Sequence, residues 1–281
     1  MSDMQSPFPD FTDPPVVEVV LGVQYEPLPA LRTPQIGLLW SEFREHFPKL
    51  EEHAPLDPMM ERFGIAGTPR ANVRFEMMQK PPVPRCWFLN EAGTELIQVQ
   101  QDRFVHNWRK VGEGDEYPRY DHVRGTFEQE LAIFERFLQK EGVGTLVPNQ
   151  CEVTYVNHID AGDGWSRHGE LGNVLTLFAP KYSNAFLPEP EEARLTCRYV
   201  IPDEKGNPLG RLHILVDPAC RRGDDRPMFL MNLVARGRPD GDGVDGVLRF
   251  LDLGREWVVR AFAAVTTPQM HKTWGRCDER C

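Results

Sequence analysis

The sequence predicts an α+β fold: antiparallel sheet with helices packed on one face, built as two related sheet-plus-helix units. Three observations carry this. Apolar residues alternate with polar ones in many short runs, the period of half-buried strands. Three longer stretches instead repeat apolar residues at three and four, the period of helices. The strands come in clusters and do not alternate one-for-one with helices, which argues against a parallel doubly wound sheet.

The chain opens with an extended arm over residues 1–15, rich in proline. "VVEVVLGVQYEPL" follows, with Val17, Val19, Leu21, Val23 and Tyr25 on one face and Glu18 and Gln24 on the other. Thr33-Pro34 is a helix-start signal, Thr as N-cap and Pro at the first helical position. Ile36, Leu39, Trp40, Phe43 and Phe47 then form one stripe, which Pro48 disrupts. "APLDPMMERFG" reads as a proline-rich connector. Antiparallel strand is expected over 71–108: "NVRFEMM" alternates, and "RCWFLNEAGTELIQVQQDRF" is a hairpin turning at Glu91-Ala92-Gly93. Asp121 is a candidate cap for the clearest helix, with Val123, Phe127, Leu131, Phe134 and Leu138 inward and Gly142 at its end.

The second half is mostly strand: "CEVTYVNHI", "NVLTLFA", "ARLTCRYVI", "LGRLHILVD" and "MFLMNLVAR", with a hairpin turn at 202–207. A helix is expected from Asp245 to Val265, then a short one after Thr267-Pro268. The units are therefore drawn at 16–145 and 146–281, with one continuous domain as the alternative.

Composition narrows the function classes. Hydrophobic residues are 41% and charged residues 26% of the 281, which is ordinary for a globular chain. The formal charge of −10 repels phosphate backbones, so no nucleic acid partner is expected. No run approaches the ~20 apolar residues of a membrane span. The six cysteines form no C-x-x-C, and Cys86, Cys151 and Cys197 fall in apolar alternating runs, where reduced Cys packs as a small hydrophobe. With no signal-peptide pattern at the N-terminus, a cytoplasmic protein is expected.

Several segments carry a resemblance: "PPVVEVVLGVQYEPL", "LWSEFREHFPKLEEHAPL", "LIQVQQDRFVHNWRK", "YPRY", "EVTYVNHI" and "FAAVTTPQMHKTWGR". In these the chain resembles a sporadically distributed, uncharacterised bacterial family of about this length. The resemblance spans nearly the whole chain and implies a bacterial cytosolic protein with this architecture. It implies no reaction, cofactor or catalytic residue.

Two stretches set a His beside an Asn in a strand, "FVHNWRK" and "TYVNHID". Alternation puts His106 and Trp108 on one face and Asn107 and Arg109 on the other; it puts Tyr155 and Asn157 opposite His158 and Asp160. An unpartnered Asn157 on the apolar side would cost about 1–3 kcal/mol, so partners are expected. The first reading of these residues is a buried polar link between strands, or between strand and helix. The functional alternative is a pocket lining for a ligand or partner, drawn from His106, Asn107, Trp108, Arg109, Tyr155, Asn157 and His158. His158, Asp160 and His168 are weak metal candidates, since imidazole with carboxylate suits Zn²⁺ or Mn²⁺ but the spacing matches no known site. Glu51/Glu52, Glu189/Glu191/Glu192 and Asp224/Asp225 lie in turns where carboxylates stay solvated. Neither a nucleophile elbow nor a phosphate-cradling loop is present, so no cofactor is expected.

The expectation is a non-catalytic binding module for an unknown protein or small-molecule ligand. The alternatives are a hydrolase using His158 and Asp160, with or without metal, and a regulatory or structural subunit of a bacterial multi-protein system that docks through exposed Trp and Met. An oligomer is left open.

Overall fold

A computed structural model describes residues 8–64, 82–162, 164–178 and 186–277. Its strands are β1 (Asp10–Phe11), β2 (Val16–Tyr25), β3 (Lys49–His53), β4 (Arg85–Leu89), β5 (Glu95–Gln100), β6 (Arg103–Arg109), β7 (Pro148–Asp160), β8 (Leu195–Pro202), β9 (Pro208–Cys220), β10 (Pro227–Gly237) and β11 (Arg276–Cys277). Its α-helices are α1 (Thr33–Phe43), α2 (Tyr120–Lys140), α3 (Leu171–Val174), α4 (Gly243–Val265) and α5 (Pro268–Thr273).

Nine strands form one antiparallel sheet in the order β3-β4-β5-β6-β2-β7-β10-β9-β8. The halves of the chain thus share a continuous sheet, joined where β2 pairs with β7. A second, two-stranded sheet ties the N-terminal arm to the C-terminal end through β1 and β11.

Alternation decides which face each side chain takes. Val19, Leu21, Val23 and Tyr25 of β2 face the helices, as do Phe104 of β6, Val153 of β7, and Met231 and Leu233 of β10; all are fully buried in one core. The α2 stripe of Val123, Phe127, Leu131, Phe134 and Leu138 packs onto this face. The Phe134 ring stacks on Phe104 with centroids 5.0 Å apart. The second long helix, α4, covers β7 and β10 and comes so close that Phe250 fills the space over the cross-strand glycine pair Gly210 and Gly237. A Cβ on Gly237 would lie 2.5 Å from the Phe250 ring, so any larger residue there would push the helix off the sheet.

Several local expectations shift. Asp121 is not the cap of α2; the helix begins at Tyr120 after Arg119, whose φ of 70° turns the chain, and Asp121 sits in the first turn, where its charge suits the helix dipole. Thr33 is the first residue of α1, not its cap, whereas Thr267 does cap α5 and accepts from the Met270 amide. The described part of the run "NVLTLFA" is not a strand: Leu171, Val174 and Leu175 are buried at helical spacing, and α3 ends there instead. The strand expected at "NVRFEMM" lies outside the described residues.

Candidate functional site: a polar sheet face crossed by residues 54–64

The sheet face turned away from the helices carries a row of buried primary amides. Gln24, Gln98, Gln100, Asn107 and Gln150 come from β2, β5, β6 and β7, and each is at most 9% exposed. Burying so many amides costs free energy unless each finds partners.

Two hydrogen-bond chains of the same composition supply most of them. In the first, Arg85 donates to Gln98 Oε1 (3.0 Å), Gln98 Nε2 to Asn107 Oδ1 (2.7 Å), and Asn107 Nδ2 to Glu18 Oε1 (2.6 Å). In the second, Arg103 donates to Gln24 Oε1 (2.9 Å), Gln24 Nε2 to Asn149 Oδ1 (3.0 Å), and Asn149 Nδ2 to Glu26 Oε1 (3.0 Å). Guanidinium only donates and carboxylate only accepts, so the ends of each chain dictate which way every amide between them points. The bonds polarise one another in a single direction.

The remaining amide capacity grips the backbone of residues 54–64, which cross this face. Gln100 reads Leu56 twice, accepting from its N–H and donating to its C=O, both at 3.0 Å. Gln24 accepts from the Met59 amide (2.9 Å) and Gln150 from the Glu61 amide (3.1 Å). The geometry explains the spacing. From β5 to β2 is two strand intervals, roughly 10 Å. Three residues of extended chain, Leu56 to Met59, cover about the same distance. The crossing segment therefore runs nearly taut across the strands.

Glu61 anchors its far end. Its carboxylate meets Arg211, His213 Nε2 (2.6 Å) and Arg236 (3.6 Å), and its side chain is 7% exposed. Burial pushes the Glu61 carboxyl up, but the His213 hydrogen bond and the charges of His213, Arg211 and Arg236 outweigh that and hold it below its ordinary value of 4.5. Arg236 also donates to Glu152 (2.6 Å).

Between the crossing segment and the sheet is a cavity of about 190 Å³, whose lining includes Val20, Gly22, Arg85, Gln98, Arg103 and Asn107. Gly22 keeps the cavity floor low, since a Cβ there would already sit 3.2 Å from Val105.

The residues singled out from sequence divide between the faces. Of them, Asn107 lines the cavity. On the same face, Arg109 donates to the Gly93 carbonyl and stacks over Trp87. His106 is fully buried on the helix face, with Nδ1 2.9 Å from Glu130 of α2. Asn157 donates to the Met231 carbonyl of the neighbouring strand (3.2 Å). Trp108 and Tyr155 meet through Tyr117, which packs on the first and shares a 2.9 Å hydroxyl hydrogen bond with the second. His158 is half-buried, and burial lowers its pKa. Asp160 is held by Arg221 (2.5 Å), while His168 Nε2 lies within hydrogen-bond distance of the Ala219 and Met228 carbonyls. Asp160 and His168 are thus engaged elsewhere, and among the described residues no group of three or more His, Cys, Asp or Glu side chains is placed to hold an ion. Among those residues, too, no helix is long and apolar enough to cross a membrane, and Cys86, Cys151, Cys197, Cys220 and Cys277 are free thiols.

Sequence reasoning passed over Glu61, Arg85, Arg103 and the glutamines. Part of the signal was present: in "ELIQVQQ", Gln98 and Gln100 alternate with Ile97 and Val99, which puts two amides on one face of a strand. Comparison of the chain with protein families, curated proteins and solved structures gives no match.

Proposed function

We propose that this chain is a non-catalytic binding module of the bacterial cytosol, and that it takes a small ligand in the cavity between residues 54–64 and the sheet. One observation carries the reading: a segment with no regular structure of its own is held by buried amides over a polar cavity. A few convergent polar groups around a concave space are the usual make-up of a ligand site. The free thiols suit a reducing compartment. We also read the halves as related units. Each runs strand, helix, antiparallel strands, covering helix, and β2 and β7, which open the halves, lie side by side at the centre of the sheet. The hydrolase alternative is less well supported, because the Asp160 carboxylate is already committed to Arg221.

A cavity-filling variant tests the reading. Val20 lines the cavity between its cross-strand neighbours Asn107 and Thr154, and Val20→Phe would place a ring in the open space. Wild-type protein should retain a small molecule in native mass spectrometry, and the variant should lose it while keeping its fold by circular dichroism. Equal retention by both proteins, or none by the wild type across a broad metabolite panel, would refute the proposal.

A further inference from the structure

Resting on that reading, we infer that the ligand is a compact anion, a carboxylate or a phosphate, held by Arg85 and Arg103. The argument comes from which groups around the cavity already have partners. Four charged side chains line it, and two of them, Arg236 and Glu152, pair with each other. The other two, Arg85 and Arg103, make no ion pair among the described residues. Among the described residues, four nearby acids are already engaged. Glu18 and Glu26 end the two amide chains, Asp102 accepts from Gln100, and Glu61 is held by Arg211, His213 and Arg236. In a protein of net charge −10, two neighbouring guanidiniums that form no ion pair among the described residues are unusual company.

The hydrogen-bond accounts point the same way. Among the described residues, Arg85 Nε and Gln150 Nε2 are buried donors without an acceptor, and Gln150 is 4% exposed. Both residues line the cavity. What the cavity lacks is an acceptor-rich, negatively charged occupant. The Arg85 guanidinium is pulled below its ordinary value, first by burial and then by the charge of Arg103, so the two cations feel one another. An anion between them would relieve that repulsion. The volume, about 190 Å³, limits the occupant to a few heavy atoms beyond its charged group.

The polarised amide chains add selectivity. Each holds its arginine at one nitrogen, with Arg103 Nη2 also donating to the Asp57 carbonyl (3.1 Å), and leaves other N–H groups of the fork for a ligand.

Calorimetric titration of the full chain at low ionic strength tests this, with inorganic phosphate and succinate as the anionic probes and succinamide as the neutral isostere. Phosphate or succinate should bind to the wild type and succinamide should not, the two anions distinguishing phosphate from carboxylate recognition. Arg85→Gln and Arg103→Gln should each weaken anion binding by about tenfold or more. Each variant also loses the hydrogen bond that heads its amide chain, so Tm is followed alongside, and the loss of anion affinity should appear in protein that remains folded at the titration temperature. Val20→Phe should block the same binding. Anion binding indifferent to both arginines, or failure of both anions to bind, would overturn the inference. Succinamide bound as tightly as succinate and displaced by Val20→Phe would also overturn it, yet leave the cavity as a ligand site. That wild-type comparison decides the matter even if an arginine variant does not fold.

Discussion

Replacing Glu130 with alanine is expected to destabilise the fold by about 3–5 kcal/mol, because it strands a fully buried imidazole beneath α2. For a chain of this size that corresponds to a fall in Tm of roughly 10 °C. The pair is under-satisfied even when intact, since His106 Nε2 and Glu130 Oε1 are both buried without a partner. Replacing both residues together, His106→Leu with Glu130→Met, should therefore be neutral or stabilising. A loss in the double variant as large as in Glu130→Ala would mean that the polar link itself supports the fold.

The same pair makes a signed pH prediction. Burial lowers the His106 pKa, but the charge and hydrogen bond of Glu130 outweigh it and leave it above 6.5. Burial raises the Glu130 carboxyl above 4.5, and His106 only partly offsets this. Both groups hold protons more tightly folded than unfolded. Their contribution is thus fully present below the unfolded values and is lost as pH rises, from about 4.5 for Glu130 and from about 6.5 for His106. Urea denaturation of wild type and double variant at pH 5.5, 7 and 8.5 should show the wild type losing ground with rising pH. A difference that stays flat or grows would contradict the assignment.

Glu61→Ala should have the second largest effect, and a different one. It leaves Arg211, His213 and Arg236 clustered without their shared carboxylate, at a cost of about 3 kcal/mol or more. Much of that should appear as release of residues 54–64, leaving the helix-covered core intact. Hydrogen exchange is the readout: the Leu56 and Met59 amides, held by Gln100 and Gln24, should lose protection by about tenfold or more while the core strands keep theirs. Here the pH sign is reversed. The Glu61 pKa is depressed, so its contribution is present above 4.5 and lost as pH falls through the lower folded value. Unchanged protection at Leu56 and Met59 would show that the amides alone hold the crossing segment.

What sequence could reveal follows from how far apart the partners lie. Alternation put His106 and Asn107 on opposite faces, and the helix stripe of Phe127, Leu131 and Phe134 was plain. Glu130 occupies an apolar position of that stripe, three after Phe127 and four before Phe134, so its burial opposite His106 was legible in principle. The apolar stretch from Val174 carries no such signal, because a short apolar run fits a strand or a helical turn equally well. The amide chains were out of reach. Gln98 meets Asn107 across a local hairpin, but Asn107 meets Glu18 only because β6 pairs with β2, and Gln24 meets Asn149 through strands 125 residues apart. Those neighbours depend on strand order, which periodicity does not encode. "APLDPMMERFG" looks like a linker because Leu56, Met59 and Glu61 are gripped at their backbone amides, which leaves no periodic pattern in its side chains; the Glu61 carboxylate meets partners about 150 residues away.

That taut stretch has a mechanical consequence. It starts beside one outer strand, passes over the β2–β7 seam, and is pinned beyond it at β9 and β10. It acts as a tie-rod between the two sides of the molecule. Any hinging or shear at the seam that lengthens this path must first break the grip on Glu61. Flexing of the sheet at the seam and loosening of this stretch over the cavity are therefore coupled.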